Sequence, residues 1–276
     1  MLTESCHKHI ILYKLLFEWL DMFEYDTPEQ LRKDIRKEIW TKPTSGLLRG
    51  FIQTNVVILP SIHASDFEQF CISNHKSCPI IEILKPGNPH PSTSAQQADI
   101  RTDIPRYNIY RNGEFEKESL NVTNLWENHF VTFLLGCSFS FEYALQNAGI
   151  TIKHQQLEKN VAMYVTNIQT VTCQNFSGPM VVSMRPIATS KIQETIAITT
   201  LFPNNHGAPI HVGDPSIIGI NDFEHPEYGD FTEVSPGETP VFWACGVTPQ
   251  VIALNAKPSL MITHTPGHMF LTDLTA

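Results

Sequence analysis

The chain has 276 residues, of which 42% are apolar and 17% are charged. This composition is typical of a globular protein and excludes a disordered or collagen-like chain. Lys and Arg number 19 against 28 Asp and Glu, so the formal net charge is −9. Binding along a phosphate backbone needs a basic surface, so no nucleic-acid partner is expected, and a small molecule or a protein is the expected partner.

Residues 1–26 are predicted to form an N-terminal extension helix. Its apolar run, residues 9–20, is interrupted by Lys14 and Glu18 and is shorter than the roughly 20 apolar residues that a membrane-spanning helix needs. The six cysteines have no paired spacing, which is typical of a reducing compartment. We therefore expect a cytoplasmic protein with no membrane partner, and the composition is compatible with a homo-oligomer.

The next helix is predicted to begin after Thr27, with Pro28 in its first position and Gln30 completing a capping box. The chain then repeats one pattern, a β-branched run, a capped helix and a second apolar run, at 55–84, 180–213 and 241–263. Connections of a dozen or more residues are typical of crossovers between parallel strands. The predicted class is therefore α/β, with a largely parallel or mixed sheet, helices on both faces and a smaller α+β subdomain.

The pattern changes between the first two copies. Asn112-Gly113, set among alternating residues, predicts a hairpin. A helix is predicted from Thr123 through Phe130, and strands are predicted at residues 150–157 and 161–167. The expected division is a main α/β domain made of residues 27–78 and 125–276, with residues 79–124 as an inserted smaller α+β segment.

Candidate site residues follow the ends of the predicted parallel strands, because ligands bind beyond the carboxyl ends of strands in open sheets. They are Arg185, Asp214, Cys245 with Gly246, and the pair His264 and His268. A histidine can act as a general base or acid near neutral pH, or it can only bond a carbonyl and hold its turn. A divalent metal ion, Mn or Mg, is a candidate cofactor, with His206, His211 and Asp214 as its candidate ligands.

Two further segments offer candidate site groups. Residues 136–142 place the Ser138 hydroxyl, a candidate substrate-binding group, and the Glu142 carboxylate at a predicted helix start. Glu142 is a candidate catalytic acid or base if the apolar Phe139 and Phe141 desolvate it. A plain N-cap and a dipole partner are the simpler interpretations. Arg101 and Arg106 follow a proline-rich loop and could grip a carboxylate through the planar guanidinium fork. An Asp–Arg network that stiffens the loop is the alternative.

The chain closely resembles the D-glutamate cyclase family, in its bacterial hydro-lyase branch, over about Pro43 to Leu274. The resemblance is carried by blocks at 43–46, 53–60, 99–107, 136–142, 178–186, 206–215, 242–250 and 263–269. It implies an α/β body with a smaller α/β part. It also implies a carbon-oxygen lyase that removes water from D-glutamate, or from a related small acidic amino or hydroxy acid, to form a cyclic product such as 5-oxoproline.

Residue roles in such a reaction follow from placement and residue type. His264 or His268 would take a proton from the substrate ammonium, and Asp214 would orient that histidine or share a metal with it. Ser138, the Gly246 backbone or a divalent ion would neutralise the reacting carboxylate of the substrate. Arg101 or Arg185 would bind the second carboxylate of the substrate and so fix its position. Two alternatives are a protein that binds a small carboxylate without converting it and a hydro-lyase that acts on another hydroxy acid.

Overall fold

The computed structural model describes residues 25–276. The predicted extension helix over 1–26, including its apolar run, therefore lies outside the described residues except for its last two positions. Within the described residues, none of the helices has the length and apolarity needed to cross a bilayer.

Helices and strands alternate irregularly along the chain. The α-helices are α1 (Pro28–Arg36), α2 (Ser61–Ser73), α3 (Phe139–Asn147), α4 (Lys153–Gln156), α5 (Ile192–Thr200) and α6 (Val247–Asn255). The strands are β1 (Phe51–Pro60), β2 (Ile80–Ile83), β3 (Tyr107–Arg111), β4 (Glu114–Ser119), β5 (Phe130–Gly136), β6 (Ala162–Gln169), β7 (Pro179–Ala188), β8 (His211–Val212), β9 (Glu238–Ala244), β10 (Met261–His264) and β11 (Phe270–Thr275).

The strands form two sheets. A seven-stranded sheet has the order β2-β5-β1-β10-β3-β4, with β11 also paired to β1. A four-stranded sheet has the order β6-β7-β9-β8. Strands β2, β3 and β4, which fall within residues 79–124, thus belong to the same sheet as β1 and β5.

The prediction of a largely parallel or mixed sheet is wrong, because all of these strand pairs are antiparallel. The first repeat does place β1 and β2 in the same direction, but β5 lies between them. The second repeat likewise places β9 between β7 and β8. In the third repeat, β9 and β10 belong to different sheets, so α6 connects the two sheets. The molecule is therefore an α+β protein with antiparallel sheets.

The two faces of the large sheet are covered differently. Val57 and Leu59 of β1 face a core that includes Phe67 and Phe70 of α2 and Ile252 of α6. Their neighbours on β1 face a second core. That core is completed by residues of the segment 84–106, which contains neither helix nor strand. The alternation of β1 side chains thus separates a helical layer from a layer of irregular chain.

Local signals near the chain's beginning and in the hairpin are confirmed. The Thr27 hydroxyl accepts from the Gln30 N–H, and the Gln30 side chain reaches back to the Thr27 N–H, so the capping box forms. Asn112 and Gly113 both have positive φ, 50° and 85°, in the tight turn between β3 and β4. Such a turn matches the twist of the two strands that it joins.

Two local predictions are wrong. Residues 123–125 form a single 3-10 turn, and β5 begins at Phe130 where the helix was expected to continue. Residues 150–157 contain the short helix α4 in place of a strand. In both segments, apolar residues pack into the core without a regular period, so their pattern did not define the backbone.

Candidate functional site

Two adjoining cavities lie where the sheets meet. The inner cavity, of about 20 Å³, is lined by residues of β1, of β6 and the segment before it, and by residues at or just beyond the ends of β5, β9 and β10. They are Asn55, Cys137, Ser138, Phe139, Asn160, Val161, Met163, Cys245, Val247, His264, Pro266, Gly267 and Met269. The outer cavity, of about 380 Å³, is lined by Pro43, Ser45, Gly46, Leu47, Arg49, Phe139, His154, Gln155, Glu158, Lys159, Asn160 and Gly267. Phe139, Asn160 and Gly267 border both cavities, which are therefore adjacent.

Two helix N-termini border the inner cavity. Helix α3 follows β5 through Cys137 and Ser138, and α6 follows β9 through Cys245 and Gly246. Ser138, the N-cap of α3, makes no side-chain capping bond, and Gly246, the N-cap of α6, has no side chain. The N–H group of Phe139 faces the Cys137 thiol, and those of Gly246 and Val247 face the Cys245 thiol. The first N–H groups of a helix have no partner within the helix and carry the positive end of its dipole. This wall of the cavity is consequently suited to an anion.

Thr248, followed by Pro249, has the residue type of an N-cap but does not cap α6. Its hydroxyl accepts from the Val181 N–H at 2.9 Å and donates to the Val181 carbonyl at 3.1 Å. Thr248 thus joins α6 to β7, and α6 begins at Val247 with Gly246 as its N-cap, two residues before Thr248.

Asn55 sits between the two helix starts. Its Nδ2 donates to the Gly136 carbonyl at 3.1 Å, and its side chain is 4% exposed. A Cβ atom at position 246 would lie 1.9 Å from Asn55 Nδ2. Gly246 has an ordinary helical φ of −66°, so glycine is needed there for the close approach and not for its backbone freedom.

His264 ends β10 and lines the inner cavity. Its Nδ1 accepts from the Val56 N–H at 3.1 Å and lies 3.2 Å from Gln250 Nε2. A backbone N–H can only donate, so Nδ1 is unprotonated and the neutral ring carries its proton on Nε2. Burial lowers the pKa of His264 to about 4. At neutral pH this histidine is therefore a neutral donor.

Behind the inner cavity lies a buried ion pair. Arg185 Nε donates to Glu142 Oε1 at 2.7 Å, and the two side chains are 0% and 1% exposed. The guanidinium also donates to the Ser138 and Ser183 hydroxyls at 3.0 Å each. It lies 5.2 Å and 5.4 Å from the rings of Phe141 and Trp243. Because Ser138 Oγ accepts from Arg185, its own proton is available to the cavity.

This arrangement corrects the predicted roles of Arg185 and Glu142. Both side chains were predicted to meet the substrate, but each satisfies the other and neither borders the inner cavity. Arg185 acts on the cavity only through the Ser138 hydroxyl. A buried guanidinium needs such a partner, since an unpaired buried charge is very costly.

Two cysteine thiols, Cys137 and Cys245, also line the inner cavity. Burial raises the pKa of Cys137 to about 12 and that of Cys245 to about 11. Only the thiolate is a strong nucleophile, so these residues act at neutral pH as small apolar wall groups. Cys245, a candidate site residue from the sequence, therefore borders the inner cavity.

The structure does not bring the predicted metal ligands together. Asp214 is exposed and caps a 3-10 turn by accepting from the Ser216 N–H at 2.9 Å. His211 Nε2 lies 2.8 Å from the Asp214 carbonyl, and His206 is buried with Nδ1 2.8 Å from the Lys76 carbonyl. Across residues 25–276, no three His, Cys, Asp or Glu side chains converge in a way that could hold a metal ion.

Three other predicted residues also lie away from the inner cavity. Arg101 pairs with Asp99 at 2.6 Å, which corresponds to the alternative of an Asp–Arg pair that stiffens the loop. Arg106 pairs with Glu118 at 2.8 Å. His268 donates from Nδ1 to the Pro266 carbonyl at 3.1 Å and borders neither cavity. This bond holds the 265–268 turn that carries Gly267.

The prediction missed several residues that line the cavities: Asn55, Arg49, His154 and Lys159. Asn55 left a signal, since it belongs to a polar triplet, Gln53-Thr54-Asn55, at the start of an otherwise apolar strand, and all three side chains are buried. Buried polar groups in a strand need partners, and this can indicate a site. His154 was hidden by the incorrect strand prediction. Its side chain is 3% exposed, with Nε2 3.4 Å from Glu142 Oε1.

Buried histidines predict a loss of stability in acid. Burial lowers the pKa of both His206 and His264 to about 4. As pH falls below the unfolded value near 6.5, the unfolded chain binds protons first, so the free energy of unfolding decreases until about pH 4. We expect a loss of about 2 kcal/mol per histidine between pH 7 and pH 5, measured by denaturant unfolding. His206→Gln should reduce the dependence of the free energy of unfolding on pH, whereas His129→Gln, at an exposed position, should not. An equal pH dependence in the two variants would contradict the lowered pKa of His206.

Comparison with known proteins agrees with the resemblance seen in the sequence. The family model described as D-glutamate cyclase matches residues 131–273. A protein from Geobacillus kaustophilus is 51% identical over 89% of this chain and 94% of its own length. A protein from Stutzerimonas stutzeri is 50% identical over 90% of this chain and 94% of its own. Both relatives carry the name "Putative hydro-lyase". The chain belongs to the D-glutamate cyclase family.

Proposed function

We propose that this protein is a hydro-lyase that removes water from D-glutamate and closes it to 5-oxoproline. One observation carries the proposal: two uncapped helix N-termini, the Ser138 hydroxyl and a neutral His264 border one small cavity. All of these groups are donors. Such a wall suits a carboxylate and the negative charge that develops on its oxygen during attack by an amine.

The reaction sets two demands. First, the substrate ammonium must lose protons, and second, the charge of the reacting carboxylate must be neutralised. The amino nitrogen forms a bond to the side-chain carboxyl carbon, and one carboxyl oxygen leaves as water. Two protons must therefore pass from the ammonium nitrogen to the leaving oxygen. A carboxylate is a poor electrophile until donors neutralise its charge, and preorganised donors meet this demand at the inner cavity.

His264 fits the second demand better than the first. Its Nδ1 lone pair is already occupied by the Val56 N–H, so the neutral ring has no free acceptor nitrogen. Its Nε2–H is the donor that remains. We therefore assign His264 the role of stabilising the carboxyl oxygen, in place of the general-base role that its position in the sequence suggested.

The direct test is an assay for cyclisation. Purified protein is incubated with ¹³C-labelled D-glutamate, L-glutamate and related acidic amino and hydroxy acids, with and without Mn or Mg, and products are followed by NMR. Formation of 5-oxoproline from D-glutamate supports the proposal. Thermal stabilisation by these acids without product would favour a carboxylate-binding protein, and dehydration of another acid would favour a different hydro-lyase.

A variant of His264 tests its role. His264→Ala is expected to lower kcat about 10²- to 10³-fold, the usual effect of removing one oxyanion donor. Since burial lowers the pKa of His264 to about 4, its titration should cause no rise in kcat between pH 6 and pH 8 in the wild type. His264→Gln, which retains an N–H donor, should lose less. The exposed His129→Ala is the control, and a wild-type rate in His264→Ala would remove this residue from the mechanism.

A further inference from the structure

We propose that Arg49 and Lys159, at the rim of the outer cavity, bind a second carboxylate of the substrate, so that the site selects dicarboxylic over monocarboxylic acids. The assignment to a substrate rests on the proposed function. In cyclisation, only one carboxylate loses an oxygen. The other is chemically unchanged and is therefore free to act as a binding handle throughout the reaction.

The charge of the outer cavity supports an anionic ligand. The whole chain carries a formal net charge of −9. Among residues 25–276, Arg49 and Lys159 nevertheless line this cavity against a single carboxylate, that of Glu158. Burial lowers the pKa of His154 and so favours its neutral form, and the positive charge of this cavity therefore comes from Arg49 and Lys159. A cleft with a local excess of positive charge raises the local concentration of anions.

Arg49 is available for a ligand in a way that the predicted anchors are not. Arg101, Arg106 and Arg185 are each committed to a carboxylate of the protein. For Arg49, no hydrogen bond or ion pair of the guanidinium is found within the part of the chain from 25 to 276. Lys159 Nζ donates to the Phe231 carbonyl at 2.9 Å, which positions its ammonium but leaves the charge uncompensated.

The loop that carries Arg49 is held in place. The Thr44 and Ser45 N–H groups donate to the Gly267 carbonyl at 2.9 Å and 3.2 Å. The buried Gln53 amide donates to the Leu47 carbonyl at 3.2 Å. Gly267 borders both cavities, so the loop is fixed to the wall that they share. Because the backbone near Arg49 is held, anion binding does not also have to order the loop, and the entropy cost falls mainly on the Arg49 side chain.

The adjacency of the cavities suggests how one molecule would use both. Phe139, Asn160 and Gly267 line the donor-rich inner cavity and also the cationic outer one. In this proposal a short dicarboxylic acid lies mainly in the outer cavity, with its reacting carboxyl directed at the inner donors and its unchanged carboxylate at Arg49. A monocarboxylic analogue would fill only the inner position.

The experiment separates binding from turnover. Calorimetry measures the affinity of glutarate, a dicarboxylate without an amine, and of butyrate for the wild type and for Arg49→Gln, Lys159→Gln and Arg111→Gln. Arg111 is an exposed arginine of the β3–β4 hairpin, paired with Glu116, and serves as the matched control. Turnover is measured in parallel with D-glutamate and with 4-aminobutyrate, which has the same reacting groups but lacks the second carboxylate.

We expect Arg49→Gln to weaken glutarate binding about 10- to 100-fold, as for loss of a hydrogen bond to a charged group. Lys159→Gln should weaken it less, and Arg111→Gln should not change it. The kcat/KM of Arg49→Gln should fall similarly for D-glutamate and stay constant for 4-aminobutyrate. Unchanged glutarate affinity in Arg49→Gln, or a wild type that binds glutarate no better than butyrate, overturns the proposal. Binding of glutarate that depends on Arg49, without cyclisation of any acid, would overturn the proposed function and leave the subsite standing.

Discussion

Glu142→Gln is expected to lower the free energy of unfolding by about 3–5 kcal/mol, the usual cost of removing one partner from a buried ion pair. Glutamine keeps the shape of the side chain but removes its charge. The guanidinium of Arg185, which is 0% exposed, would then be buried without a counterion. Its bonds to Ser138 and Ser183 cannot replace a carboxylate, since both hydroxyls are neutral.

Equilibrium unfolding in urea measures this loss. Glu194→Gln is the matched control, because Glu194 pairs with Lys191 at 2.7 Å on the surface, with the two side chains 44% and 42% exposed. Such a pair contributes about 0–1 kcal/mol. Replacing both members of the buried pair, as Glu142→Leu with Arg185→Met, should recover part of the stability because no unpaired charge remains. A loss in Glu142→Gln no larger than in Glu194→Gln would contradict the burial of the pair.

Gly246→Ala is the second large effect that we expect, and it acts on the inner cavity. The new methyl group would lie 1.9 Å from Asn55 Nδ2, so the Asn55 side chain must leave its position. That movement breaks its bond to the Gly136 carbonyl and pushes the side chain into the space where the two helix starts meet. We expect a stability loss of about 1–3 kcal/mol, as for other overpacked sites. Any cyclase activity should fall by about 100-fold or more, since misplaced binding groups commonly cost that much.

A double variant shows whether the clash is the cause. Asn55→Ala removes the three side-chain atoms that the new methyl group would meet. Combining it with Gly246→Ala should therefore restore stability relative to Gly246→Ala alone, measured as the melting temperature. Activity should not return, because the Asn55 amide is also lost. A double variant less stable than either single variant would show that the glycine is needed for another reason.

The residue patterns determined those features that depend on near neighbours. The capping box at Thr27, the Asn112-Gly113 hairpin and the start of α3 within residues 136–142 all involve residues a few positions apart. Their backbone geometry is set by local sterics and local hydrogen bonds, which a sequence states directly. Two of the family blocks, residues 136–142 and 242–250, contribute residues that line the inner cavity.

The tertiary structure decided which strands are neighbours and which side chains are free. Long connections predicted strands in the same direction, but β5 and β9 arrive from elsewhere in the chain to lie between them, and spacing along a sequence cannot show this. Likewise, the residues near Arg185 in the sequence do not show that it pairs with Glu142. The residues near Arg49 do not show that its guanidinium has no such partner among residues 25–276. The charge state of His264 is set by its burial and by the Val56 N–H, 208 positions away. Strand order, ion pairing and protonation depend on contacts between remote segments, so they exist only once the chain has folded.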